Sequence, residues 1–353
     1  MSLLSYGCMR FPCADKDGKV IKFEESSRMV DTAIEGGVNY FDTAFVYNHG
    51  FSEANIGKAL KKHKRDSFYL ATKLPLWETD GGVEAAKKRF EGQLESCQVK
   101  YFDYYLLHSL NKDIFARSEE LKIYDYLKKE QKAGRIGKLG FSFHDSPEML
   151  EKILKSHEWD FCYLQINYMD WTVQKAKEQY ELTEKYEVPV LVMEPVRGGT
   201  LSALPKPAAD ILKEYNPAAS QASWALRYAA SLPNVFTVLS GMSEMQHVSD
   251  NLKTFNNYKP LTAGERKVIE KAYKAFEKYS IVPCTGCKYC VDCPSKVNIP
   301  DLFAENNKKV YQGGNINKDL LEAAKNCTEC GFCEKMCPQK IGIAELVKRI
   351  AGV

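Results

Sequence analysis

The residues of this chain that are best suited to chemistry are its cysteines. Twelve occur in 353 residues, and eight of these fall in two regular runs near the C-terminal end. The eight are Cys284, Cys287, Cys290, Cys293, Cys327, Cys330, Cys333 and Cys337. Without a visible export signal, the chain is expected in a reducing compartment, where disulfides are rare. Thiolates are soft ligands that suit iron–sulfur centres or zinc. The spacing therefore predicts metal binding rather than disulfide bonds.

A second set of reactive side chains follows predicted strands in the first 250 residues: Asp42, Tyr47, Lys73 and His108. A free tyrosine has a pKa of about 10, but a neighbouring lysine ammonium favours the phenolate and lowers that pKa. Asp42 can supply the counter-charge that Lys73 needs in a desolvated pocket. A neutral His108 can orient a substrate oxygen. The group is suited to delivering a proton to a carbonyl oxygen while hydride arrives at carbon.

These side chains need a scaffold, and residues 4–255 supply an alternation of short β-type runs and helical patterns. The predicted strands are 4–7, 39–41, 68–72, 103–107, 136–141, 162–166, 189–193 and 235–239. Helical periodicity is clear at 52–63, 84–97 and 118–133, and again at 264–279. Eight strand–helix units predict an α/β fold of the (β/α)8 TIM-barrel type, in which the carboxyl ends of the strands carry the chemistry. A doubly wound open sheet is the alternative, although its G-x-G-x-x-G motif is absent from the sequence.

Composition excludes several other classes of protein. Hydrophobic residues make up 44% and charged residues 27% of the chain, and the net charge is +3. This is an ordinary globular balance that gives no sign of nucleic-acid binding. No run approaches the roughly 20 apolar residues that span a bilayer. We therefore expect a cytoplasmic protein with neither nucleic acid nor membrane as a partner.

Over residues 4–255 the sequence resembles the aldo-keto reductase superfamily. The segments that carry the resemblance are DTAFVY (42–47), ATK (71–73), LLH (106–108), GFS (140–142), QINY (165–168), EPVRGG (194–199) and GMS (241–243). The resemblance implies a barrel that binds NADP(H) or NAD(H) and reduces an aldehyde or ketone. Tyr47 is then the general acid, Lys73 modulates its pKa, Asp42 pairs with Lys73, and His108 orients the substrate.

The same resemblance implies a set of cofactor contacts. Ser142 and Gln165 would hold the nicotinamide carboxamide, and Met193 stands where many members have a stacking aromatic ring. The residues implied along the adenosine half are Gly241, Ser243, Asp250 and Asn251. His247 is the only basic residue near the expected 2′-phosphate position, so NADP is only weakly favoured over NAD. Phe143 replaces a frequent asparagine, and the N-terminal hairpin common in the family is not seen.

The cysteine runs resemble two-cluster [4Fe–4S] ferredoxins. The second run matches the bacterial C-x2-C-x2-C-x3-C-P spacing, and the first is one residue shorter before its last cysteine. Because the fourth cysteine of each run ligates the other cluster in such ferredoxins, the resemblance assigns Cys284, Cys287, Cys290 and Cys337 to one cluster. It assigns Cys293, Cys327, Cys330 and Cys333 to the other. Two zinc sites built from C-x2-C pairs are the alternative.

Together these observations predict three segments: an aldo-keto reductase-like barrel at 1–260, a linker helix at 261–280, and a small α-rich ferredoxin-like domain at 281–353. We expect the second domain to depend on its metal for folding, with an apolar shell that includes Ile299, Phe303 and Ile341. One hypothesis is a carbonyl reductase whose iron–sulfur tail exchanges electrons with a redox protein partner. The alternatives are a nucleotide-binding scaffold with low turnover that serves an electron-transfer module, and clusters with a structural or redox-sensing role.

Overall fold

The computed structural model describes residues 1–15, 18–78 and 81–353, and eight of its strands close into a parallel barrel in chain order. The strands are β1 (Leu4–Gly7), β2 (Tyr40–Asp42), β3 (Tyr69–Leu74), β4 (Phe102–Leu110), β5 (Ile136–Phe143), β6 (Phe161–Gln165), β7 (Val190–Met193) and β8 (Val235–Gly241). The barrel closes where β1 pairs with β8, with Gly7 opposite Gly241. The predicted (β/α)8 architecture is therefore confirmed.

Helices follow the strands and continue beyond the barrel. In the described residues they are α1 (Phe23–Glu35), α2 (Ser52–Leu60), α3 (Gly82–Ser96), α4 (Lys112–Glu120), α5 (Ile123–Lys132), α6 (Pro147–Ser156), α7 (Asp170–Val173), α8 (Ala176–Lys185), α9 (Lys206–Tyr215), α10 (Gln221–Ala230), α11 (Met245–Asn256), α12 (Ala263–Phe276), α13 (Ile299–Gln312), α14 (Lys318–Lys325), α15 (Phe332–Met336) and α16 (Ile343–Ala351). None of the helices in this part of the chain is both long and apolar enough to cross a membrane.

One predicted helix is wrong. Periodicity indicated a single helix over 118–133, but α4 ends at Glu120 and α5 begins at Ile123. Lys122 between them has a left-handed backbone, with φ of 53°. A left-handed residue cannot continue a right-handed helix. A new helix, α5, begins after this break, and its residues Ile123 and Leu127 are fully buried.

Aromatic side chains fill the barrel interior near the amino ends of its strands. Tyr40 and Phe161 are the first residues of β2 and β6, and both pack in one buried cluster with Tyr163. Tyr104 joins them, with its ring centroid 5.0 Å from that of Tyr40 and 5.1 Å from that of Phe161. Ring pairs at these separations are favourable, so this end of the barrel is closed by side chains.

Two compact units divide the chain. The first contains Met1–Pro195 and Ala225–Leu261, which include every strand of the barrel. The second contains Val196–Trp224 and Thr262–Val353. Inside the second unit α9 packs against α12, and a separate apolar cluster joins α13, α14 and α16. The predicted apolar shell is confirmed in that cluster, because Ile299, Phe303 and Ile341 are all buried there.

Candidate functional site

A buried ion pair lies at the carboxyl ends of β2 and β3. The Nζ of Lys73 donates a hydrogen bond of 2.6 Å to Oδ1 of Asp42 and one of 2.8 Å to the carbonyl oxygen of Thr43. Both charged side chains are almost completely excluded from solvent, with 2% and 4% of their surface exposed. Buried charges are costly unless they are paired and hydrogen-bonded. The parallel register of β2 and β3 therefore brings the two predicted partners together.

The other two residues of the predicted group lie beside this pair. The Lys73 Nζ is 4.7 Å from the centroid of the Tyr47 ring, within the range of a cation–π contact. The rings of Tyr47 and His108 meet edge to face, with centroids 6.1 Å apart. Trp77, in the turn after β3, brings its ring centroid to 5.1 Å from that of His108. A tyrosine, a lysine, an aspartate and a histidine thus form one compact group.

Burial decides the electrostatics of this group. It raises the pKa of Asp42 and lowers the pKa of Lys73, and in each case the charge of the partner opposes the shift. The pKa of His108 is lowered well below its usual range, mainly by burial and then by the Lys73 and His144 charges. His108 is therefore a neutral imidazole at ordinary pH, while the short contacts of Lys73 with two oxygen acceptors favour its ammonium form.

A second polar layer lies behind Lys73. The amide nitrogen of Gln93 donates to the Lys73 carbonyl oxygen at 2.9 Å and to a carboxylate oxygen of Glu53 at 2.6 Å. The Tyr105 hydroxyl donates to the Gln93 amide oxygen at 2.6 Å, and Thr72 donates to Glu53. All these groups are buried. A fully bonded network of this kind holds the end of β3, and hence the Lys73 backbone, in one position.

An irregularity in β4 sets the position of His108. The pairing of β4 with β5 shifts register between Leu107 and Leu110, and Ser109 has a positive φ of 55°. The backbone N–H of Ser109 donates to the Ser142 hydroxyl at 2.7 Å. Register shifts of this kind re-aim a side chain and are common beside active sites. The structure thus links His108 to Ser142, one of the predicted cofactor contacts.

Two further predicted cofactor residues end neighbouring strands. Gln165 is the last residue of β6, and its amide nitrogen donates to Asp170 at 2.7 Å. Asn167 donates to the same carboxylate oxygen at 2.6 Å. Met193 is the last residue of β7 and is partly buried. Gln165 and Met193 therefore lie at the carboxyl ends of adjacent strands, and their contact with a cofactor stays a prediction.

The predicted adenosine-side residues lie on and after β8. Gly241 ends β8, and the backbone N–H of Ser243 donates to His247 Nδ1 at 3.3 Å. Buried Asn251, on α11, donates to the Ser240 hydroxyl at 2.8 Å. Asp250 precedes it on the same helix and is half-buried. These residues lie at the end of β8, in the turn after it and along α11, and Gly241 pairs with Gly7, which in turn pairs with Asp42 of the ion pair.

Sequence reasoning missed several residues of this region. Arg10, which follows β1, packs its side chain 3.1 Å from where a Cβ on Gly241 would lie, and its Nη2 is 4.0 Å from Glu194 Oε1. Cys8, given no role from the sequence, is fully buried beside the charges of Asp42 and Lys73. Tyr163 was also overlooked, although its hydroxyl donates to Asp42 Oδ2 at 2.9 Å. Position after or within a barrel strand was the available signal for all three.

The eight C-terminal cysteines lie around two separate cavities. One cavity has Cys284, Cys287, Cys290 and Cys337 in its lining. The other has Cys293, Cys327, Cys330 and Cys333. These are the two groups that the ferredoxin resemblance implies, with the fourth cysteine of each run exchanged between them. We call them the first and second cysteine cradles.

The first cradle also contains a backbone N–H that donates to a cysteine sulfur. The N–H of Gly286 lies 3.4 Å from the Cys284 sulfur. Hydrogen bonds to sulfur are one of the means by which proteins stabilise iron–sulfur clusters. Burial raises the pKa of the Cys290 thiol, and it raises that of Cys333 in the second cradle to about 11. A bound cation is therefore needed to hold these sulfurs as thiolates.

Comparison with known proteins agrees with both parts of the chain. Residues 3–274 match the family model described as "Aldo/keto reductase family", and residues 283–341 match the "4Fe-4S dicluster domain". The chain is similar to "Uncharacterized oxidoreductase YqkF" of Bacillus subtilis (strain 168), with 24% identity over 283 residues that cover 71% of this chain and 86% of that protein.

Solved structures of similar fold are aldo-keto reductases. The holo form of aldo-keto reductase AKR11C1 from Bacillus halodurans has a TM-score of 0.63 and 27% identity, covering 76% of this chain and 91% of that chain. An aldo-keto reductase from Klebsiella pneumoniae in complex with NADPH has a TM-score of 0.63 and 19% identity, covering 77% of this chain and 90% of that chain. With the barrel and the two cysteine cradles, these matches show that the chain belongs to the aldo/keto reductase family of oxidoreductases and carries a 4Fe-4S dicluster domain.

Proposed function

We propose that the barrel reduces an aldehyde or ketone with NADPH or NADH, and that Tyr47 is the general acid. The observation that carries this proposal is the position of Lys73, which is 2.6 Å from Asp42 and 4.7 Å from the Tyr47 ring centroid in a buried site. An ammonium beside a phenol favours the phenolate, so it makes the phenol a stronger acid. Such a tyrosine can deliver its proton at neutral pH.

Each of the four side chains has a distinct task in this proposal. When bound, the reduced nicotinamide supplies a hydride to the carbonyl carbon. Tyr47 gives its hydroxyl proton to the carbonyl oxygen, and Lys73 stabilises the phenolate that remains. Asp42 holds the Lys73 ammonium in place. Neutral His108 donates a hydrogen bond to the same carbonyl oxygen and orients it between Tyr47 and the hydride donor.

The barrel residues fit a nicotinamide nucleotide. Ser142, next to the last residue of β5, and Gln165, the last residue of β6, are buried polar groups that can hydrogen-bond a carboxamide. Gly241 lets the Arg10 side chain approach the backbone at the end of β8, and the amino end of α11 offers N–H groups to a phosphate. Met193, Ser243, His247, Asp250 and Asn251 complete the proposed contacts. The K. pneumoniae protein of the same fold binds NADPH, which supports the choice of cofactor class.

For the C-terminal segment we propose two [4Fe–4S] clusters, one in each cysteine cradle. The separate cavities, each lined by four cysteines, support this count. The match of residues 283–341 to the 4Fe-4S dicluster domain favours iron–sulfur clusters over zinc. We propose 281–353 as the iron–sulfur domain, 261–280 as a linker helix, and 1–260 as the segment that contains the barrel together with Val196–Trp224 of the second compact unit. Since each cluster carries a single electron, a redox protein partner is the proposed route by which electrons reach or leave them.

Replacing Tyr47 with phenylalanine tests the catalytic proposal. We expect Tyr47→Phe to abolish NAD(P)H-linked reduction across a panel of aldehydes and ketones, while nicotinamide binding and iron content stay at wild-type values. Tyr126→Phe is the matched control, because its buried hydroxyl has no hydrogen-bond partner in the described part of the chain. Wild-type protein without turnover on the panel would instead favour a nucleotide-binding scaffold.

Iron and sulfide analysis with anaerobic EPR tests the cluster proposal. About eight irons per chain are expected for two [4Fe–4S] clusters. A value near four would reject one cradle, and zinc without iron would reject both.

A further inference from the structure

Three consecutive residues after β7 have left-handed backbones. Arg197, Gly198 and Gly199 have φ values of 49°, 61° and 98°. Glycine adopts this region freely, but arginine does so at an energetic cost that contacts with its surroundings must offset. The contacts of the Arg197 side chain therefore show what holds it in this conformation.

That side chain is completely buried in the second compact unit. Arg197 has no exposed surface, and its Nη1 donates a hydrogen bond of 3.0 Å to the carbonyl oxygen of Pro283. Gly198 packs on Thr285 so closely that an added Cβ would lie 2.7 Å from the Thr285 Cα and closer still to its carbonyl oxygen. Pro283 and Thr285 are the two neighbours of Cys284. Arg197 and Gly198 therefore hold the chain on both sides of this cysteine.

The guanidinium brings a permanent positive charge to this place. Arginine is not deprotonated in proteins, and in a buried site its charge is poorly screened by water. A [4Fe–4S] cluster gains one negative charge when it is reduced, and nearby charge is one of the factors that set its reduction potential. A buried cation next to Cys284 therefore stabilises the reduced state more than the oxidised state.

The second cradle differs in charge. Within the described residues, the lining of its cavity contains the acidic Glu329 and no lysine or arginine. Glu329 is exposed and paired with Lys348, a partly exposed lysine that also interacts electrostatically with Cys327 and whose charge water screens. The buried cation at Pro283 thus distinguishes the first cradle from the second.

We propose that Arg197 is a positioning residue for Cys284 and gives the cluster of the first cradle the higher reduction potential of the two. This inference rests on the proposed assignment of Cys284, Cys287, Cys290 and Cys337 to one cluster. An electron that enters the domain then resides on this cluster first. The loop after β7 of the barrel thereby takes part in iron–sulfur chemistry.

The test uses the full-length protein loaded with its clusters under anaerobic conditions. Titration with dithionite, followed by EPR, measures a midpoint potential for each cluster. We expect Arg197→Gln to lower the higher potential by at least 59 mV, which is a tenfold fall in the ratio of reduced to oxidised cluster for a one-electron couple. The lower potential is expected to stay unchanged. Arg197→Lys keeps the charge and is expected to keep the wild-type potential.

Lys288→Gln is the matched control, because it removes one positive charge beside Cys287 from an exposed position. Solvent screening there should hold its effect below half of that of Arg197→Gln. The proposal is overturned if Arg197→Gln shifts the midpoint potentials of both clusters equally, or if it leaves both potentials unchanged at wild-type iron content. It is also overturned if Lys288→Gln shifts the potential as much as Arg197→Gln does.

If Arg197→Gln binds less iron than the wild type, Arg197→Lys decides the question. A wild-type potential in Arg197→Lys supports the proposal, and a fall of tenfold or more in the ratio of reduced to oxidised cluster contradicts it. A wrong cluster assignment can be distinguished from a wrong role for Arg197. If the assignment is wrong, the wild type itself lacks the EPR signal of reduced [4Fe–4S] clusters.

Discussion

The hydroxyl of Tyr163 donates a hydrogen bond of 2.9 Å to Oδ2 of Asp42, the carboxylate oxygen that Lys73 does not occupy. The Tyr40 hydroxyl lies 2.7 Å from that of Tyr163. Because Tyr163 donates to Asp42, Tyr40 must donate to Tyr163. Two barrel-interior hydroxyls thus continue the ion pair toward the amino ends of the strands, and both oxygens of Asp42 are satisfied.

Tyr163→Phe removes the donor to Asp42 Oδ2 without changing the shape of the core. Hydrogen bonds to charged groups contribute about 1.5–3 kcal/mol, so we expect kcat/KM to fall about tenfold to hundredfold. The bond stabilises ionised Asp42, and its loss should raise the Asp42 pKa. The acid limb of the pH profile should therefore move to higher pH. Tyr126→Phe serves as the control, and a loss of rate with no change in the profile would indicate a purely structural role.

Asp42→Asn should destabilise the barrel. It leaves the Lys73 ammonium buried without a counter-charge, and breaking one partner of such a pair costs about 3–5 kcal/mol. Urea denaturation followed by tryptophan fluorescence measures the change in the free energy of unfolding. The double variant Asp42→Asn/Lys73→Met should be more stable than Asp42→Asn alone. Additive losses in the double variant would show that the two side chains are not energetically coupled.

His108 should make the stability of the protein depend on pH. Its folded-state pKa lies well below the usual value because of burial and the Lys73 charge, so below about pH 6.5 only the unfolded chain takes up this proton. The free energy of unfolding should therefore fall with decreasing pH, by up to about 1.4 kcal/mol per pH unit from this residue.

The test compares His108→Gln with the wild type in urea at several pH values, where the variant should lack this slope. His247→Gln, at an exposed histidine, should retain it. A wild-type slope in His108→Gln would mean that another group causes the dependence.

Removal of iron should unfold the C-terminal segment before the barrel. Its apolar cluster is small and includes six of the eight cysteines: Cys290 and Cys333 are buried within it, and Cys284, Cys293, Cys327 and Cys337 pack against it. Small domains of this kind obtain much of their folding free energy from the metal. Limited proteolysis after chelation should cleave within 283–341 while the barrel stays intact. Equal resistance with and without iron would show that the helices hold the segment together unaided.

Much of the fold was predictable because its signal is local and repeated. Each barrel strand is a short apolar run, and predicted and observed strands agree within a few residues at either end. The prediction of one helix over 118–133 was wrong because of a single left-handed residue, Lys122. This residue leaves the apolar spacing on both sides intact, so the periodicity of the sequence does not reveal it. The register shift between β4 and β5 that positions His108 was also not predictable, because it leaves the apolar pattern of β4 unchanged.

The candidate site was likewise predictable only in part. Four polar residues at or after strand ends were identifiable from the sequence because their combination can deliver a proton to a carbonyl oxygen. These residues are Asp42, Tyr47, Lys73 and His108. Tyr163 and Arg197 did not, since each acts through a partner that is more than 80 residues away in the chain. Such pairings depend on which strands and loops meet in three dimensions.

The second compact unit has a consequence for how this protein can be divided. It draws on Val196–Trp224, from the middle of the chain, as well as on Thr262–Val353. A single cut after Leu261 therefore divides the second unit: every residue of the first unit lies before the cut, but Val196–Trp224 is separated from Thr262–Val353. The iron–sulfur segment therefore cannot be transferred to another protein by joining Thr262–Val353 to its C-terminal end. Such a transfer would also require Val196–Trp224, the segment between β7 and β8.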